Sequence, residues 1–169
     1  ADCYRGLNQL KKALDYWLQC LENDKNNLSI LISIGDSYRK LMNFNKAEEY
    51  YKKVLEIDPE YTNVLKGLGY LYYDFKHYDK AIEYWEKCTV KDKKDIKTIT
   101  ILGNCYRNIK DYKSAIKYYN NALELEPSNF YGLFGMASSY RGLRDYEQAA
   151  VYFKKILEID PQNQSILTR

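Results

Sequence analysis

The tyrosines of this chain recur at a fixed interval of 34 residues, and this period constrains the fold more than any other feature. One series consists of Tyr4, Tyr38, Tyr72, Tyr106 and Tyr140. Alanines keep the same interval at Ala13, Ala47, Ala81, Ala115 and Ala149, and a large aromatic residue follows each of them four residues later. A constant period of this length indicates a stack of similar structural units, each packed mainly against its neighbours.

Each unit reads as a pair of helices joined by a short turn. Apolar residues recur at spacings of three and four, which is the pattern of an amphipathic helix. All three prolines occupy one phase of the period and should end the second helix of their units. The first helices are predicted at 28–41, 62–75, 96–109 and 130–143. The second helices are predicted at 10–23, 44–57, 78–90, 112–125 and 146–159.

The pattern resembles the tetratricopeptide repeat, a helix-turn-helix unit of 34 residues. In the second unit the matching residues are Leu31, Ile34, Gly35, Tyr38, Ala47, Tyr51 and Pro59. The resemblance extends over the whole chain, although no unit has the Trp that the signature places first and Lys93 replaces one of the prolines. It implies an all-α fold, a right-handed superhelical solenoid of antiparallel helix pairs.

The repeats divide the chain into a single array without insertions. The expected segments are a partial repeat 1–27, full repeats 28–61, 62–95, 96–129 and 130–163, and the start of a further helix at 164–169. Polar capping helices normally close such arrays, and none is visible. We therefore expect an excerpt of a longer array, or ends that are covered by a partner or by self-association.

The four cysteines follow the period and give no sign of catalysis. Cys3 and Cys105 share one position of the repeat, and Cys20 and Cys88 share another, so each pair lies whole units apart. Small buried thiols are expected there, with a Cys88–Cys105 disulfide as the alternative. With His77 as the only histidine and no CxxC pair, we predict no metal site, no cofactor and no catalytic residues.

In the family that the chain resembles, the first helices line a concave groove. The position after the periodic Tyr holds Arg5, Arg39, Tyr73, Arg107 and Arg141. Asp2 and Asp36 could pair with Arg5 and Arg39 on the same helical turn. Arg107 and Arg141 have no such acid beside them in the sequence, so we expect them to be freer to bind a ligand.

Cations and aromatic residues alternate in the C-terminal half of this groove. The predicted partner-binding residues are Lys66, Tyr70, Tyr73, Lys97, Asn104, Arg107, Tyr131, Phe134 and Arg141. This mixture suits an extended protein segment with an acidic or C-terminal carboxylate and an apolar anchor. The clamp by which some family members hold heat-shock chaperones is not predicted, because only Lys66 of its five positions matches.

Other classes of function are less consistent with the sequence. The net charge of +3 is small and interspersed, which argues against RNA binding through the Arg and Tyr groove. The apolar runs are too short for a membrane span. A regulatory or substrate-docking part of a larger enzyme remains an alternative. The compartment stays unknown, with the cytoplasm favoured, because the absence of a signal segment says little about an expected excerpt. The lysine-rich stretch 87–97 is either a solvated helix end or a hinge or second basic contact.

Overall fold

The computed structural model describes residues 2–162, with side chains from residue 9 onward. Over this range the chain forms nine α-helices and no strand. The helices are α1 Asp2–Asn23, α2 Leu28–Lys40, α3 Phe44–Ile57, α4 Thr62–Asp74, α5 Tyr78–Lys91, α6 Ile96–Asn108, α7 Tyr112–Leu125, α8 Phe130–Gly142 and α9 Tyr146–Ile159. The all-α prediction is confirmed, and α2 to α9 begin and end within one residue of the predicted bounds.

Short polar side chains cap the starts of six helices, whereas α4 begins after Tyr61 without a side-chain cap. The N-cap residues whose side chains accept a backbone N–H three residues ahead are Asn27, Asn43, Asp95, Asp111, Asn129 and Asp145. The turn inside each repeat contains one residue in the left-handed region, at Met42, Lys76, Lys110 and Arg144, with φ between 57° and 66°. These caps and turns repeat at the sequence period, so successive helix pairs have the same local geometry.

The start of the chain departs from the prediction. We expected the end of one helix around Tyr4, a turn, and a second helix from residue 10, whereas α1 runs continuously from Asp2 to Asn23. Gln9 occupies the place that Asn43, Asp111 and Asp145 hold in later repeats. Its longer side chain is a poor N-cap, which removes one signal for a helix start at this position.

The helices fall into two compact units, unit 1 (Ala1–His77) and unit 2 (Tyr78–Arg169). In unit 1, α2 packs against α3 and α3 against α4; in unit 2, each helix from α5 to α9 packs against the next. Each unit has a fully buried tyrosine in its core, Tyr51 or Tyr119. Tyr51 lies against Gly35 and Gly67, and Tyr119 lies against Gly103 and Gly135. The glycines let two first helices approach one aromatic ring closely.

The cysteines within the described side chains are free thiols. Cys88 and Cys105 are both buried, so the alternative of a disulfide between them is wrong. Burial raises the pKa of the Cys105 thiol to about 12, because the interior disfavours the charged thiolate. Cys3 lies outside the described side chains.

Candidate functional site

In unit 1, one arginine is neutralised within the fold. Arg39 on α2 donates from Nη1 to Oδ2 of Asp74 at the end of α4, at 2.8 Å. Its guanidinium carbon also lies 5.5 Å from the centroid of the Tyr70 ring. Burial lowers the pKa of Arg39, but Asp74 and the neighbouring Tyr51 more than offset this effect, and the net pKa is raised. Arg39 therefore remains a cation whose charge is balanced by Asp74.

The expected pairing of Asp36 with Arg39 is wrong. Asp36 instead accepts a hydrogen bond of 2.5 Å from the buried hydroxyl of Tyr51. Burial and the adjacent Asp36 carboxylate raise the pKa of Tyr51, so the hydroxyl stays protonated as a donor. The analogous pairing of Asp2 with Arg5 concerns side chains outside the described range.

Unit 2 contains a similar arrangement with an amide in place of the carboxylate. Tyr119 donates to Oδ1 of Asn104 at 2.8 Å. Arg107 donates from Nη2 to the same oxygen at 3.2 Å and from Nε to the Tyr119 hydroxyl at 3.3 Å. Arg107, which has no acid beside it in the sequence, thus has two partners in the structure, and both are neutral, so they orient the guanidinium without balancing its charge.

A cavity of about 290 Å³ opens beside Arg107. The residues that line it are Arg107, Asn108, Tyr112, Ser138, Arg141 and Gly142. The two arginines singled out from the sequence therefore share one cavity, and among its described lining residues none is acidic. Ser138 is only 7% exposed, and its hydroxyl has no hydrogen-bond partner among the residues that the structure describes. Ser138 and Gly142 were not among the predicted site residues, although Ser138 occupies the same position of the repeat as the predicted residues Tyr70 and Asn104.

Aromatic side chains lie at the opposite end of α8. Tyr131 is 67% exposed, and Phe130, which sequence analysis did not include, is 39% exposed. Phe130 stacks on Phe134 with ring centroids 5.9 Å apart, and Phe134 packs edge-on against Phe153 of α9. Phe134 is therefore partly a core residue, whereas Tyr131 offers an accessible apolar surface. Lys97 is exposed in the first turn of α6.

The other predicted site residues belong to unit 1. Lys66, Tyr70 and Tyr73 are half-buried on α4, and the Tyr70 ring faces the Arg39 guanidinium. Tyr70 thus has a contact within its own unit that the sequence did not predict.

The lysine-rich stretch contains an ordered turn. Helix α5 continues to Lys91, the Lys94 N–H donates to Asp92, and Asp95 caps α6 through Thr98. Among the side chains that the structure describes, no group of three or more His, Cys, Asp or Glu residues could hold a metal ion. No described helix combines the length and the apolar character that crossing a membrane requires.

A stack of capped helix pairs around glycine-flanked tyrosines defines the class of helical-repeat proteins. Tetratricopeptide repeat models match residues 29–61, 67–89, 97–129 and 130–163. Because these matches cover most of the chain, it belongs to the tetratricopeptide repeat family. This membership supports a role as a protein-interaction scaffold.

Solved structures share the same fold. MamA from Desulfovibrio magneticus RS-1 aligns with a TM-score of 0.85 and 20% identity, covering 96% of both chains. YrrB, a TPR protein with an unusual peptide-binding site, aligns with a TM-score of 0.82 and 18% identity over 99% of this chain and 86% of YrrB. A tetratricopeptide repeat protein from Parabacteroides merdae gives 0.88 and 15%, over 99% and 71%.

At these identities the similarity shows the fold alone, and it confirms the tetratricopeptide solenoid class. Comparison with curated protein sequences gives no significant match.

Proposed function

We propose that the chain is a non-catalytic interaction scaffold that binds an extended segment of a partner protein on helices α6 and α8 of unit 2. The observation that carries this proposal is that α8 bears both the exposed ring of Tyr131 and the guanidinium of Arg141, and that Arg107 of α6 lines the same cavity as Arg141. None of the described residues that line this cavity is acidic. Membership of the tetratricopeptide repeat family supports it. The peptide-binding site named for YrrB is consistent with it.

The spacing along α8 suits a short extended segment. Ten residues separate Tyr131 from Arg141, which corresponds to about 15 Å along a helix. An extended chain covers that distance in roughly five residues. A bound segment could thus place an apolar side chain against Tyr131 and a carboxylate near Arg141 and Arg107. An aromatic anchor combined with arginines is the composition that carries most binding energy in protein interfaces.

The proposed site in unit 2 comprises Lys97, Asn104, Arg107, Tyr131, Phe134 and Arg141. Asn104 serves to orient Arg107, since its amide oxygen accepts from that guanidinium at 3.2 Å. Phe134 contributes to the aromatic surface by stacking on the partly exposed ring of Phe130. Lys66, Tyr70 and Tyr73 belong to unit 1 and are not part of this proposed site; their role in binding stays a prediction from the sequence.

The proposal can be tested by selecting short random peptides from a displayed library against the full chain. We expect Tyr131→Ala to weaken the selected peptides by about tenfold or more, because an exposed aromatic anchor is lost. Tyr146→Ala is the matched control, since Tyr146 is also a tyrosine of unit 2, is 64% exposed, and lies on the second helix α9. Failure to select any peptide, or equal losses in the two variants, would contradict binding on α8.

A further inference from the structure

The same arginine site occurs in both units at a spacing of 68 residues, but only unit 1 fills it from within. The equivalent pairs are Asp36 and Asn104, Arg39 and Arg107, Tyr51 and Tyr119, Tyr70 and Ser138, and Asp74 and Gly142. The arginine and the buried tyrosine are retained in both units. The three other positions change from two carboxylates and an aromatic ring to an amide, a hydroxyl and a bare backbone.

Unit 1 shows which chemical group the site accepts. The Asp74 carboxylate lies 2.8 Å from Nη1 of Arg39 and forms an ion pair with it. The buried Nε of Arg39 has no hydrogen-bond partner among the described residues. The carboxylate comes from the following repeat and approaches from the end of its first helix. A carboxylate in this position is therefore the natural complement of the arginine.

Unit 2 leaves the corresponding place open. Gly142 has no side chain in the place of Asp74, and Ser138 replaces Tyr70, whose ring lies against the Arg39 guanidinium in unit 1. The cavity of about 290 Å³ is lined by Ser138 and Gly142, the equivalents of these two unit 1 residues. Arg107 uses Nη2 and Nε for Asn104 and Tyr119. Its Nη1, the atom that pairs with Asp74 in unit 1, makes no hydrogen bond within the described part of the chain.

Two further groups make this cavity suitable for an anion. Arg141 adds a second guanidinium where unit 1 has Tyr73. Ser138 is more than nine-tenths buried, and its hydroxyl lacks a partner among residues 2–162. A buried hydroxyl without a partner is unfavourable, so a ligand oxygen that accepts its hydrogen bond would remove that cost.

We propose that this cavity binds a carboxylate of the partner segment, which takes the place that Asp74 holds in unit 1. Arg107 and Arg141 would supply the donors, with the Ser138 hydroxyl as a third. This inference rests on the proposed function, since the segment bound on α8 would provide the carboxylate. It goes further by naming the recognised group and the cavity that holds it.

Acetate is the simplest probe, and the side-chain Nε–Hε signal of Arg107 in the full chain is the readout. We expect a saturable shift of this signal on acetate titration. Arg141→Gln should reduce the apparent affinity by about tenfold, since one of two charged donors is lost. Arg144→Gln is the control, because it removes an equal charge from the nearby turn without lining the cavity. A linear, non-saturating response, or equal effects of the two variants, would overturn the proposal.

Exchanging residues between the units gives a second test that does not depend on Arg141. A Cβ at Gly142 would lie 2.4 Å from the ring carbons Cε1 and Cζ of Tyr112, so the substitution is made together with Tyr112→Ala, which removes the ring. Tyr112→Ala with Gly142→Asp should abolish the acetate response of Arg107, because a carboxylate of the chain then pairs with the guanidinium. Tyr112→Ala with Gly142→Asn is the matched control, and its acetate response should be stronger than that of the Asp variant, because the Asn side chain carries no charge. Conversely, Asp74→Gly should give Arg39 an acetate response that the unaltered unit 1 lacks.

The source and kind of the anion are distinguished by further probes. N-acetyl-Ala-Tyr-Asp amide carries only a side-chain carboxylate, N-acetyl-Ala-Tyr-Asn with a free C-terminus carries only a main-chain one, and the amide of the latter carries none. Tighter binding of either acid than of the neutral peptide supports the proposal and identifies the source. Equal binding of all three, or a clear preference for inorganic phosphate over acetate, overturns it.

The two proposals fail separately. Loss of peptide binding in Tyr131→Ala without any acetate response would keep the docking function and reject the carboxylate cavity. A saturable acetate response without any selected peptide would keep the cavity and reject the docking of a segment on α8.

Discussion

Unit 1 and unit 2 place the same buried tyrosine and the same arginine in two different electrostatic settings. In unit 1, Tyr51 donates to the Asp36 carboxylate and Arg39 pairs with Asp74. In unit 2, Tyr119 and Arg107 share the neutral amide of Asn104. The comparison teaches that the repeat fixes the position of the arginine, whereas the residues around it decide whether its charge is balanced within the unit or left for a ligand.

The packing around the two tyrosines also differs, and alanine at the flanking glycines should reveal it. A Cβ at Gly135 would lie 2.3 Å from the Tyr119 ring, whereas a Cβ at Gly67 would lie 3.0 Å from the Tyr51 ring. We expect Gly135→Ala to lower the free energy of unfolding by about 2 kcal/mol, because the ring and helix must move apart. Gly67→Ala should cost less than about 1 kcal/mol, because higher helix propensity offsets a milder clash.

Urea unfolding of the two variants measures this difference. If both variants lose the same unfolding free energy, the two rings can shift by the same amount, and the packing around Tyr51 and Tyr119 does not differ.

Removing the tyrosine hydroxyls should distinguish the hydrogen bond to the Asp36 carboxylate in unit 1 from the hydrogen bond to the Asn104 amide in unit 2. Tyr51→Phe is expected to cost about 2 kcal/mol, since a hydrogen bond to a carboxylate is lost and Asp36 remains partly buried. Tyr119→Phe should cost about 1 kcal/mol, because its acceptor is a neutral amide and the bond that its hydroxyl accepts from Arg107 Nε is long, at 3.3 Å. The difference in unfolding free energy between the two variants is the quantity to measure. Adding Asn104→Asp should move unit 2 toward unit 1 and make the cost of Tyr119→Phe larger. An unchanged cost in that background would contradict the electrostatic explanation.

The smallest expected effect concerns pH and the buried thiol of unit 2. Cys105 occupies the place of Ser37 in unit 1, whose hydroxyl donates to the Ser33 carbonyl at 2.7 Å. The unfolded thiol ionises near its ordinary pKa of 9.0, whereas burial raises the folded pKa to about 12. Ionisation thus favours the unfolded state, and the stability present below pH 9 is lost as the pH rises toward 12.

The wild-type chain should therefore lose about 1 kcal/mol more unfolding free energy between roughly pH 8 and 10 than Cys105→Ser does. Urea unfolding of both proteins at the two pH values tests this, and parallel pH profiles would show that Cys105 does not contribute. The substitution also gives unit 2 the serine that unit 1 has at Ser37, so it replaces the thiol with a residue that this position already accepts.

Much of the fold followed from the sequence alone, because the period is carried by residues that the helix pair itself requires. The 34-residue period, the apolar spacing of three and four, and the prolines that end three of the pairs located α2 to α9 to within one residue. The same reasoning failed for α1, where the period continued through Tyr4 but no turn separates two helices. Gln9 is a poorer cap than the Asn or Asp of later repeats, yet α4 begins after Tyr61 without a side-chain cap, so the cap alone does not explain the continuous helix.

The candidate site was predictable only in part. The positions of Arg107 and Arg141 in the repeat marked them as groove residues, but their surroundings could not be obtained from one helix at a time. Arg39 pairs with Asp74 of the next repeat rather than with Asp36 on its own helix, and Arg107 donates to Asn104. Such choices depend on which side chains adjacent helices bring together.

The sequence by itself determined the repeat, the helices and the phase in which each arginine lies, because these depend on local spacing and on residue size. Only the tertiary structure decided that one arginine is neutralised and that the other faces a cavity. The reason is that Asp74 and Gly142 act across a helix-helix contact, where the presence or absence of one side chain determines whether a carboxylate from the chain itself occupies the site.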